Sequence, residues 1–223
     1  MRKILGIVAT SLLFSCTYVE RDNPYDSGGK KYMVDKLVPS GCKNAGSSYS
    51  CSMKSYRTVE INGQVWMAEN LNCDVKGSYC HSNETENCNK FGRLYDWCTA
   101  MAVCPRSWHL PSNAEWQELV DFAGGSFVAG KYLKADNGWY QWDWYDNGNG
   151  SGNGEDTYKF SALPGGEGPG GGLHYNGIWW SSTELETLGS NAYFWGMSSR
   201  DDGVSGGAGV DKGNLYSVRC LKD

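Results

Sequence analysis

Alternation of apolar and polar residues first appears near position 59 and predicts a β-hairpin. Apolar residues occupy every second position on both sides of the pair Asn62-Gly63, at Val59, Ile61, Val65 and Met67. An Asn-Gly pair between two alternating runs is the strongest short hairpin signal, because a type I′ turn needs a positive φ at both central residues. The pattern therefore predicts two antiparallel strands joined at Asn62 and Gly63.

Helical periodicity follows in two places. One apolar face is formed at helical spacing by Leu94, Trp97, Cys98 and Met101. In the second segment, LPSNAEWQELVDFAGG, Ser112 and Glu115 have the spacing of a capping box, in which each side chain bonds the backbone of the other residue. The predicted buried stripe of this helix is Trp116, Leu119, Val120 and Ala123. Gly124 is placed to end the helix.

The chain becomes rich in Gly and Asn after the second helix. Long loops there separate three short apolar runs typical of strands, IWWSST, NAYFWGM and LYSVRCL. Two helices followed by a loop-rich β region favour an α+β fold. Within this region we expect Trp179 and Trp180 to be core residues.

The first residues of the chain have the features of an export signal. Arg2 and Lys3 precede the apolar run Ile4 to Phe14, which is shorter than the roughly 20 residues that span a bilayer. The sequence LFSC that follows resembles a bacterial lipobox, which implies cleavage before Cys16 and lipidation of that residue. The alternative is an ordinary signal peptide with a nearby cysteine.

The predicted organisation follows from this start. Residues 1–15 are a lipoprotein signal peptide, residues 16–49 are the lipidated cysteine and a polar tether, and residues 50–223 are the folded domain. Thr17 after the lipidated cysteine favours the outer membrane, by analogy with other Gram-negative lipoproteins. We therefore expect a lipid-anchored protein of the outer membrane or cell surface.

Cysteine number agrees with export. The chain has nine cysteines, and eight remain for disulfides when Cys16 is set aside: Cys42, Cys51, Cys73, Cys80, Cys88, Cys98, Cys104 and Cys220. An oxidising compartment allows all of them to pair, and the absence of C-x-x-C spacing argues against a zinc site. Spacing does not settle the connectivity. Closure of small loops favours Cys42–Cys51 and Cys80–Cys88.

Charge argues against one class of partner. The net charge is −5 and the basic residues form no cluster, so we expect no nucleic-acid partner.

Six segments in order carry a family resemblance: QVWMAENL, KFGRLYDW, VCPRSWHLPSNAEWQEL, YKFSALPGG, WWSSTE and YSVRCL. Together they resemble the Fibrobacter succinogenes major paralogous domain family of bacterial cell-surface domains, over about residues 50 to 222. The segment WHLPSNAEWQEL is also similar to a signature of formylglycine-generating enzymes, whose fold is related to C-type lectins.

The resemblance implies a C-type-lectin-like fold. Such a fold has termini joined in a small sheet, two helices and a long loop region on one side. It also implies a disulfide between Cys104 and Cys220, which leaves Cys73 and Cys98 for each other.

Catalysis is not expected from these residues. Formylglycine-generating enzymes use a late pair of cysteines that binds copper, whereas the late cysteine here is Cys220 alone. His109 precedes a helix cap, where we expect a structural role, and His174 lies in a Gly-rich loop, where we expect it to be solvated. The chain contains neither G-x-S-x-G nor H-E-x-x-H.

Calcium is a weak alternative, and we expect no cofactor. Oxygen ligands crowd the loop after position 142, among them the candidate ligands Asp143, Asp146 and Asp156. The E-P-N, Q-P-D and W-N-D motifs of sugar-binding C-type lectins are missing from the sequence, and the spacing does not fit an EF-hand. Asn and Asp are also common simply because they form turns.

The stretch WYQWDWY is the strongest candidate for a binding surface. Its five aromatic residues are Trp139, Tyr140, Trp142, Trp144 and Tyr145. Aromatic faces suit sugar rings, so the stretch predicts a polysaccharide platform. The alternative is that these rings fill the core of a region with few aliphatic residues.

The function expected from the sequence is binding or adhesion to polysaccharide by a cell-surface lipoprotein without catalytic activity. A structural or protein-interaction module of a surface assembly is the alternative. A formylglycine-generating-enzyme-like catalyst is a second alternative.

Overall fold

The computed structural model of this chain describes residue 42 and residues 55–142, 151–185 and 189–223. These residues form a mixed α+β structure, as predicted, with four α-helices and two sheets. The predicted signal peptide, Cys16 and nearly all of the tether lie outside the described residues. None of the helices in the described segments has the length and apolarity needed to cross a membrane.

The helices are short. They are α1 (Thr85–Phe91), α2 (Trp97–Val103), α3 (Asn113–Phe122) and α4 (Ala129–Leu133), with a 3₁₀ turn at His81–Asn83. The strands are β1 (Thr58–Ile61), β2 (Gln64–Met67), β3 (Ser78–Tyr79), β4 (Leu94–Tyr95), β5 (Trp108–His109), β6 (Asn176–Glu184), β7 (Asn191–Ser198), β8 (Val204–Asp211), β9 (Tyr216–Ser217) and β10 (Leu221–Lys222).

The predicted hairpin is present as β1 and β2. Its turn residues Asn62 and Gly63 have φ values of 52° and 77°, and Ile61 pairs with Gln64 across them. Both central residues of a type I′ turn need such positive values, so the prediction is confirmed.

The first sheet joins the two ends of the folded region in the order β1-β2-β10-β5. Leu221 of β10 pairs with Trp66 on one side and with His109 on the other. The last residues of the chain are therefore held between strands formed much earlier in the sequence, as the resemblance implied.

The second sheet has the order β3-β4-β9-β6-β7-β8 and divides the core. Successive side chains of a strand point to opposite faces, so Trp179 and Trp180 of β6 enter two different hydrophobic clusters. Trp179 packs with Trp116 and Trp195, whereas Trp180 packs with Tyr216. Both are fully buried, and their prediction as core residues is confirmed.

Helix α3 follows the sequence pattern closely. The Ser112 hydroxyl accepts a bond from the Glu115 backbone N–H at 3.3 Å, and the Glu115 carboxylate accepts one from the Ser112 N–H at 2.7 Å. The inward stripe is buried as predicted, at Trp116, Leu119, Val120 and Ala123. The helix gives way to Gly124, whose φ of +103° favours glycine.

The prediction of the first helix is only partly confirmed. Asp96 caps α2 by accepting a bond from the Thr99 N–H at 2.8 Å, so the helix begins at Trp97 and Leu94 lies in β4 instead. Cys98 and Met101 are half-buried, and the buried residues of α2 are Trp97, Thr99, Ala100, Ala102 and Val103. The cap at Asp96 breaks the periodicity that linked Leu94 to the helix. Helices α1 and α4 were not predicted.

Two predicted disulfides are confirmed and two are wrong. Cys80 bonds Cys88, and Cys104 bonds Cys220. Cys42 bonds Cys98, which excludes both Cys42–Cys51 and Cys73–Cys98.

The prediction of a Cys42–Cys51 bond, which was based on closure of a small loop, is wrong for a physical reason. The entropy of closing a loop grows only slowly with its length, so packing decides the partner. Cys42 is buried in the same hydrophobic cluster that receives α2, where Cys98 lies. Cys73 is also disulfide-bonded, and Cys51 lies outside the described residues.

Candidate functional site

The structure describes the aromatic stretch as far as position 142. Trp139, Tyr140 and Trp142 are described, whereas the candidates Trp144 and Tyr145 lie outside the described residues, as do the calcium candidates Asp143 and Asp146.

Trp139 is a core residue. Only 4% of its surface is exposed, and its indole N–H donates to the carbonyl of Ala162 at 2.9 Å. Its backbone N–H donates to the side chain of Asn153 at 3.0 Å. The expectation that Trp139 contacts a ligand is therefore corrected, because contacts from two distant segments hold its ring inside the protein.

Three rings of neighbouring segments form a surface cluster, here named the aromatic cluster: Tyr140, Trp142 and Tyr175. Tyr140 stacks on Tyr175 with ring centroids 4.7 Å apart and an interplanar angle of 29°. Trp142 meets Tyr140 edge-on at 5.0 Å and lies 5.8 Å from Tyr175. Tyr140 is 40% exposed and Tyr175 is 38% exposed. The aromatic cluster therefore has two accessible rings, those of Tyr140 and Tyr175, with Trp142 half-buried beside them.

Backbone contacts fix the frame of this cluster. The Tyr140 N–H donates to the carbonyl of His174 at 2.8 Å, and the Ser199 N–H donates to the carbonyl of Tyr175 at 2.7 Å. The indole N–H of Trp142 donates to the Ser199 hydroxyl at 3.2 Å. Three separate loops are thus joined at the cluster, which limits the entropy that its rings would lose on binding.

His174 supports the cluster and does not extend freely into solvent. Its Nδ1 donates to the carbonyl of Gly138 at 2.8 Å, and its ring packs edge-on against Phe91 at 5.2 Å. The expectation of a solvated histidine is corrected, because the half-buried ring bridges two loops.

Arg200 covers one side of Trp142. Its guanidinium lies 5.2 Å from the Trp142 ring centroid, within the range of a cation–π contact. Arg200 is exposed, so a positive charge borders the aromatic cluster at the solvent edge.

A buried lysine holds the loop that carries Ser199 and Arg200. The ammonium of Lys134 donates to the carbonyls of Ser198 at 3.1 Å and Asp201 at 2.9 Å, and also to the hydroxyl of Ser151. Lys134 is fully buried. All three of its N–H donors have acceptors, so it ties the 198–201 turn to the loop at residue 151.

Burial lowers the pKa of the Lys134 ammonium to about 8, against the opposing effect of the Asp202 and Asp201 carboxylates. The charged form of Lys134 is thus costly in the folded protein, and its three acceptors compensate part of that cost.

A groove of about 620 Å³ lies beside the aromatic cluster. Strands β6, β7 and β8 line it together with the α3–α4 loop, at Ser126, Phe127, Asn176, Ile178, Phe194, Gly196, Met197, Ser198, Asp201, Gly203, Val204, Ser205 and Gly206. The groove and the cluster adjoin, because Asn176 follows Tyr175 and Ser198 precedes Ser199 in the chain.

A second apolar surface lies at the α3–α4 end. Phe122, Phe127 and Val128 are exposed there, and the Phe122 ring lies 5.4 Å from that of Tyr158. Exposed apolar groups that adjoin one another mark interaction surfaces more often than single exposed residues do.

Asp156 has an internal role in this structure. Its two carboxylate oxygens accept bonds from the N–H and the hydroxyl of Ser161, at 2.7 Å and 2.8 Å. Within the described segments, no group of three or more His, Cys, Asp or Glu side chains is arranged to hold a metal ion. The position of Asp156 therefore matches a structural carboxylate and gives no support to its weak calcium assignment.

His109 links the start of α3 to the end of the chain. Its Nε2 lies 2.9 Å from a Glu115 oxygen and its Nδ1 lies 2.7 Å from an Asp223 oxygen. Burial raises the pKa of the Glu115 carboxyl, but hydrogen bonds from Ser112 and His109 outweigh it and hold the pKa below its ordinary value. This geometry agrees with the structural role expected for His109.

Sequence reasoning missed three residues of this region, Tyr175, Arg200 and Lys134. Tyr175 is a single aromatic residue in a Gly-rich loop, and no local pattern links it to Tyr140. For Lys134 the sequence contained one signal of burial, because this single cation lies between the apolar residues Leu133 and Ala135.

Comparison with known protein families identifies a match over most of the described residues. The family model described as Fibrobacter succinogenes major domain matches residues 59–222, which run from β1 to β10 and include every described residue of the aromatic cluster and the groove. No curated protein and no solved structure matches the chain.

Proposed function

We propose that this chain, which belongs to the Fibrobacter succinogenes major domain family, is a non-catalytic binding protein that holds polysaccharide at the aromatic cluster. The observation that carries the proposal is the pair of accessible rings, Tyr140 and Tyr175, on a frame joined by backbone hydrogen bonds. Ring faces and edges pack against the C–H groups of a pyranose, and the phenol hydroxyls can bond its oxygens.

The proposal assigns no catalytic residue. Cys220, the late cysteine in the chain, is bonded to Cys104 and is not a free thiol. His109 is engaged by carboxylates on both ring nitrogens. These contacts favour binding over formylglycine-generating-enzyme-like chemistry.

The proposed setting is the bacterial surface. The lipobox-like LFSC sequence supports a lipid anchor at Cys16 and hence a membrane partner at the outer membrane. Pairing of β10 with β2 and β5 supports the finer proposal of a C-type-lectin-like fold. The polar tether between Cys16 and the domain would then separate the domain from the lipid, so that insoluble polymers are accessible to it.

Depletion from solution by insoluble cellulose, xylan and chitin tests the proposal. Tyr140→Ala and Tyr175→Ala should each weaken binding to the polymer that retains the wild type by at least about tenfold, while both variants remain folded and lose at most the small stability of the Tyr140–Tyr175 stacking. Tyr79→Ala is the matched control, since Tyr79 is 46% exposed in β3 and belongs to neither the cluster nor the groove. Failure of the wild type to bind any of the polymers, or an equal loss in Tyr79→Ala, would contradict the proposal.

A protein-interaction module is the second candidate, and one observation favours it. The side chains of Phe122, Phe127 and Val128 are all exposed between the end of α3 and the start of α4. A Phe122→Ser, Val128→Ser double variant that still binds polysaccharide but loses association with a co-purifying surface protein would support this function.

A further inference from the structure

We propose that the groove on β6, β7 and β8 binds a second segment of the polysaccharide chain held at the aromatic cluster, and that it selects neutral over anionic chains. The inference rests on the proposed function and extends it to a substrate class. Four features of the groove carry it: an open floor, an aromatic rim, continuity with the cluster, and the charge of its lining.

The floor is one face of the three-stranded part of the sheet. Strand register pairs Ile178 with Gly196 and Gly196 with Ser205, so these three residues form a row across the strands. Because successive residues alternate between faces, the neighbouring row of Trp179 and Trp195 points into the core. The row of Ile178, Gly196 and Ser205 therefore lies on the face opposite to the Trp179 and Trp195 side chains.

Gly196 keeps the middle of this floor open. A Cβ atom built at Gly196 would lie 3.5 Å from the Ser205 hydroxyl and 3.9 Å from the Phe194 ring, which are ordinary contacts. No positive φ requires glycine at this position. A side chain could therefore be accommodated by the backbone, and it would occupy the space between Phe194 and Ser205.

Phe127 supplies an aromatic rim. It lies in the loop between α3 and α4 and is 90% exposed. The neighbouring Ser126 carbonyl accepts a bond from the Val204 N–H at 2.8 Å, which attaches this loop to the start of β8. A ring with almost no contact to its own protein is thus held at the edge of a groove, available to an apolar sugar face.

The groove continues from the aromatic cluster. Asn176 and Ser198 are paired at one end of the groove, and each is adjacent in sequence to a residue of the cluster frame, Tyr175 or Ser199. From Ser198 to Phe194, β7 rises about 13 Å at roughly 3.3 Å per residue. An extended chain longer than one sugar ring can therefore occupy both places.

The lining favours a neutral ligand. Its polar groups are the hydroxyls of Ser126, Ser198 and Ser205 and the amide of Asn176. Among the described residues of the lining, the one ionisable side chain is that of Asp201. A carboxylate accepts bonds from sugar hydroxyls but repels uronate or sulfate groups.

Two cations lie near this end of the groove, and both are engaged by other groups of the protein. Lys134 donates its three N–H groups to Ser151, Ser198 and Asp201. Arg200 lies over Trp142 on the side of the cluster. Among the described lining residues, the charge that a ligand meets is therefore the carboxylate of Asp201, which the buried Lys134 offsets in part.

Calorimetric titration with soluble oligosaccharides tests the inference. The probes are the disaccharides and hexasaccharides of the cellulose, xylan and chitin series. The wild type should bind a neutral hexasaccharide at least about tenfold more tightly than the disaccharide. Gly196→Val should bind both equally, with an unchanged affinity for the disaccharide, because only the groove is filled. Phe127→Ala, which removes an exposed side chain, should lose part of the preference for the hexasaccharide over the disaccharide. This variant tests the inference if Gly196→Val fails to fold.

Selectivity is tested with hexagalacturonate. Asp201→Asn keeps an oxygen for the Gly203 N–H, which Asp201 accepts at 2.9 Å, and removes the charge. It should bind hexagalacturonate more tightly than the wild type does, while its affinity for the neutral hexasaccharide changes little.

Two outcomes separate this inference from the proposed function. In the first, the wild type binds disaccharide and hexasaccharide with equal affinity while Tyr175→Ala still loses binding. This result would overturn the proposal that the groove binds sugar and would leave the proposal for the aromatic cluster intact. An unchanged hexasaccharide affinity in folded Gly196→Val would do the same. Failure of every probe to bind the wild type would overturn both.

Discussion

Arg219 donates two hydrogen bonds to the side-chain oxygen of Asn70, from Nη2 at 3.0 Å and from Nε at 3.3 Å. The two residues are 149 positions apart, and both are buried. The same oxygen accepts a bond from the indole N–H of Trp179 at 2.9 Å, and the Asn70 amide donates to the carbonyl of Phe91 at 2.8 Å. One asparagine thereby joins the first sheet region, α1, β6 and the end of the chain.

The Arg219 charge is compensated mainly by neutral acceptors. Burial lowers its pKa to about 9, although the Asp156 carboxylate acts in the opposite direction. Its guanidinium also donates to the carbonyls of Phe160 and Ser161 and lies 4.2 Å from the Phe160 ring centroid. A buried charge of this kind depends on every partner, because each lost acceptor leaves a charged donor without a bond.

Asn70→Ala should therefore lower the free energy of unfolding by about 3 kcal/mol. The substitution removes the acceptor of Arg219 and Trp179 at once. Urea denaturation measures the change, and Asn137→Ala is the control, since Asn137 is exposed and bonds only its neighbour Asp136 among the described residues. Similar losses in the two variants would contradict a special role for Asn70.

The stabilisation that each disulfide contributes should increase with the length of the loop that it closes. Cys104–Cys220 closes a separation of 116 residues and Cys80–Cys88 one of 8. The chain-entropy relation gives about 5 kcal/mol for the first bond and about 2.5 kcal/mol for the second. Replacing each pair by alanine should thus destabilise the domain by about 2 kcal/mol more for Cys104 and Cys220, measured by denaturant unfolding. Equal losses would show that local packing outweighs loop entropy here.

The parts of this fold that local sequence patterns predicted are those specified within a few neighbouring residues, whereas the long-range Cys104–Cys220 bond was implied by the family resemblance. The Asn62-Gly63 turn and the Ser112–Glu115 capping box depend on backbone conformation and short-range bonds, which the local sequence determines. Cys80–Cys88 belongs to the same class, since its partners are 8 residues apart.

The parts that failed depend on where distant segments meet. Tyr175 stacks on Tyr140 because the His174 carbonyl and the Ser199 N–H bring their loops together. Cys42 reaches Cys98 through packing that no spacing encodes. The candidate site could therefore be located to a region of sequence, but the choice of accessible rings needed the tertiary contacts.

Lys134 should give the domain an alkaline rise in stability. Its pKa is about 8 when folded and has an ordinary value of 10.5, so between these pH values the unfolded chain binds more protons. The free energy of unfolding should therefore increase with pH across this window, by at most about 3 kcal/mol. Urea denaturation at a series of pH values measures the increase.

Lys134→Met is the control for this rise. Methionine fills similar space without a charge, so the variant should lose the part of the increase that Lys134 contributes between pH 8 and 10.5. Burial lowers the pKa of Arg219 to about 9, which raises stability above that pH in both proteins. Burial raises the pKa of Tyr95 well above its ordinary value, which lowers stability above about pH 10 in both proteins. The difference between wild type and variant isolates the lysine, and a flat difference across the window would contradict the assignment.

Adjacent residues of the aromatic stretch should behave in opposite ways. Trp139→Ala removes a ring that is buried and bonded to Ala162, so it should lower the free energy of unfolding by about 3–5 kcal/mol. Tyr140→Ala removes a partly exposed ring and should cost less than about 1.5 kcal/mol, chiefly the stacking on Tyr175. Polysaccharide depletion should fall in folded Tyr140→Ala, whereas Trp139→Phe, which stays apolar and aromatic, should still bind. If Trp139→Phe lost binding while remaining as stable as the wild type, the buried indole would have to be counted within the binding site.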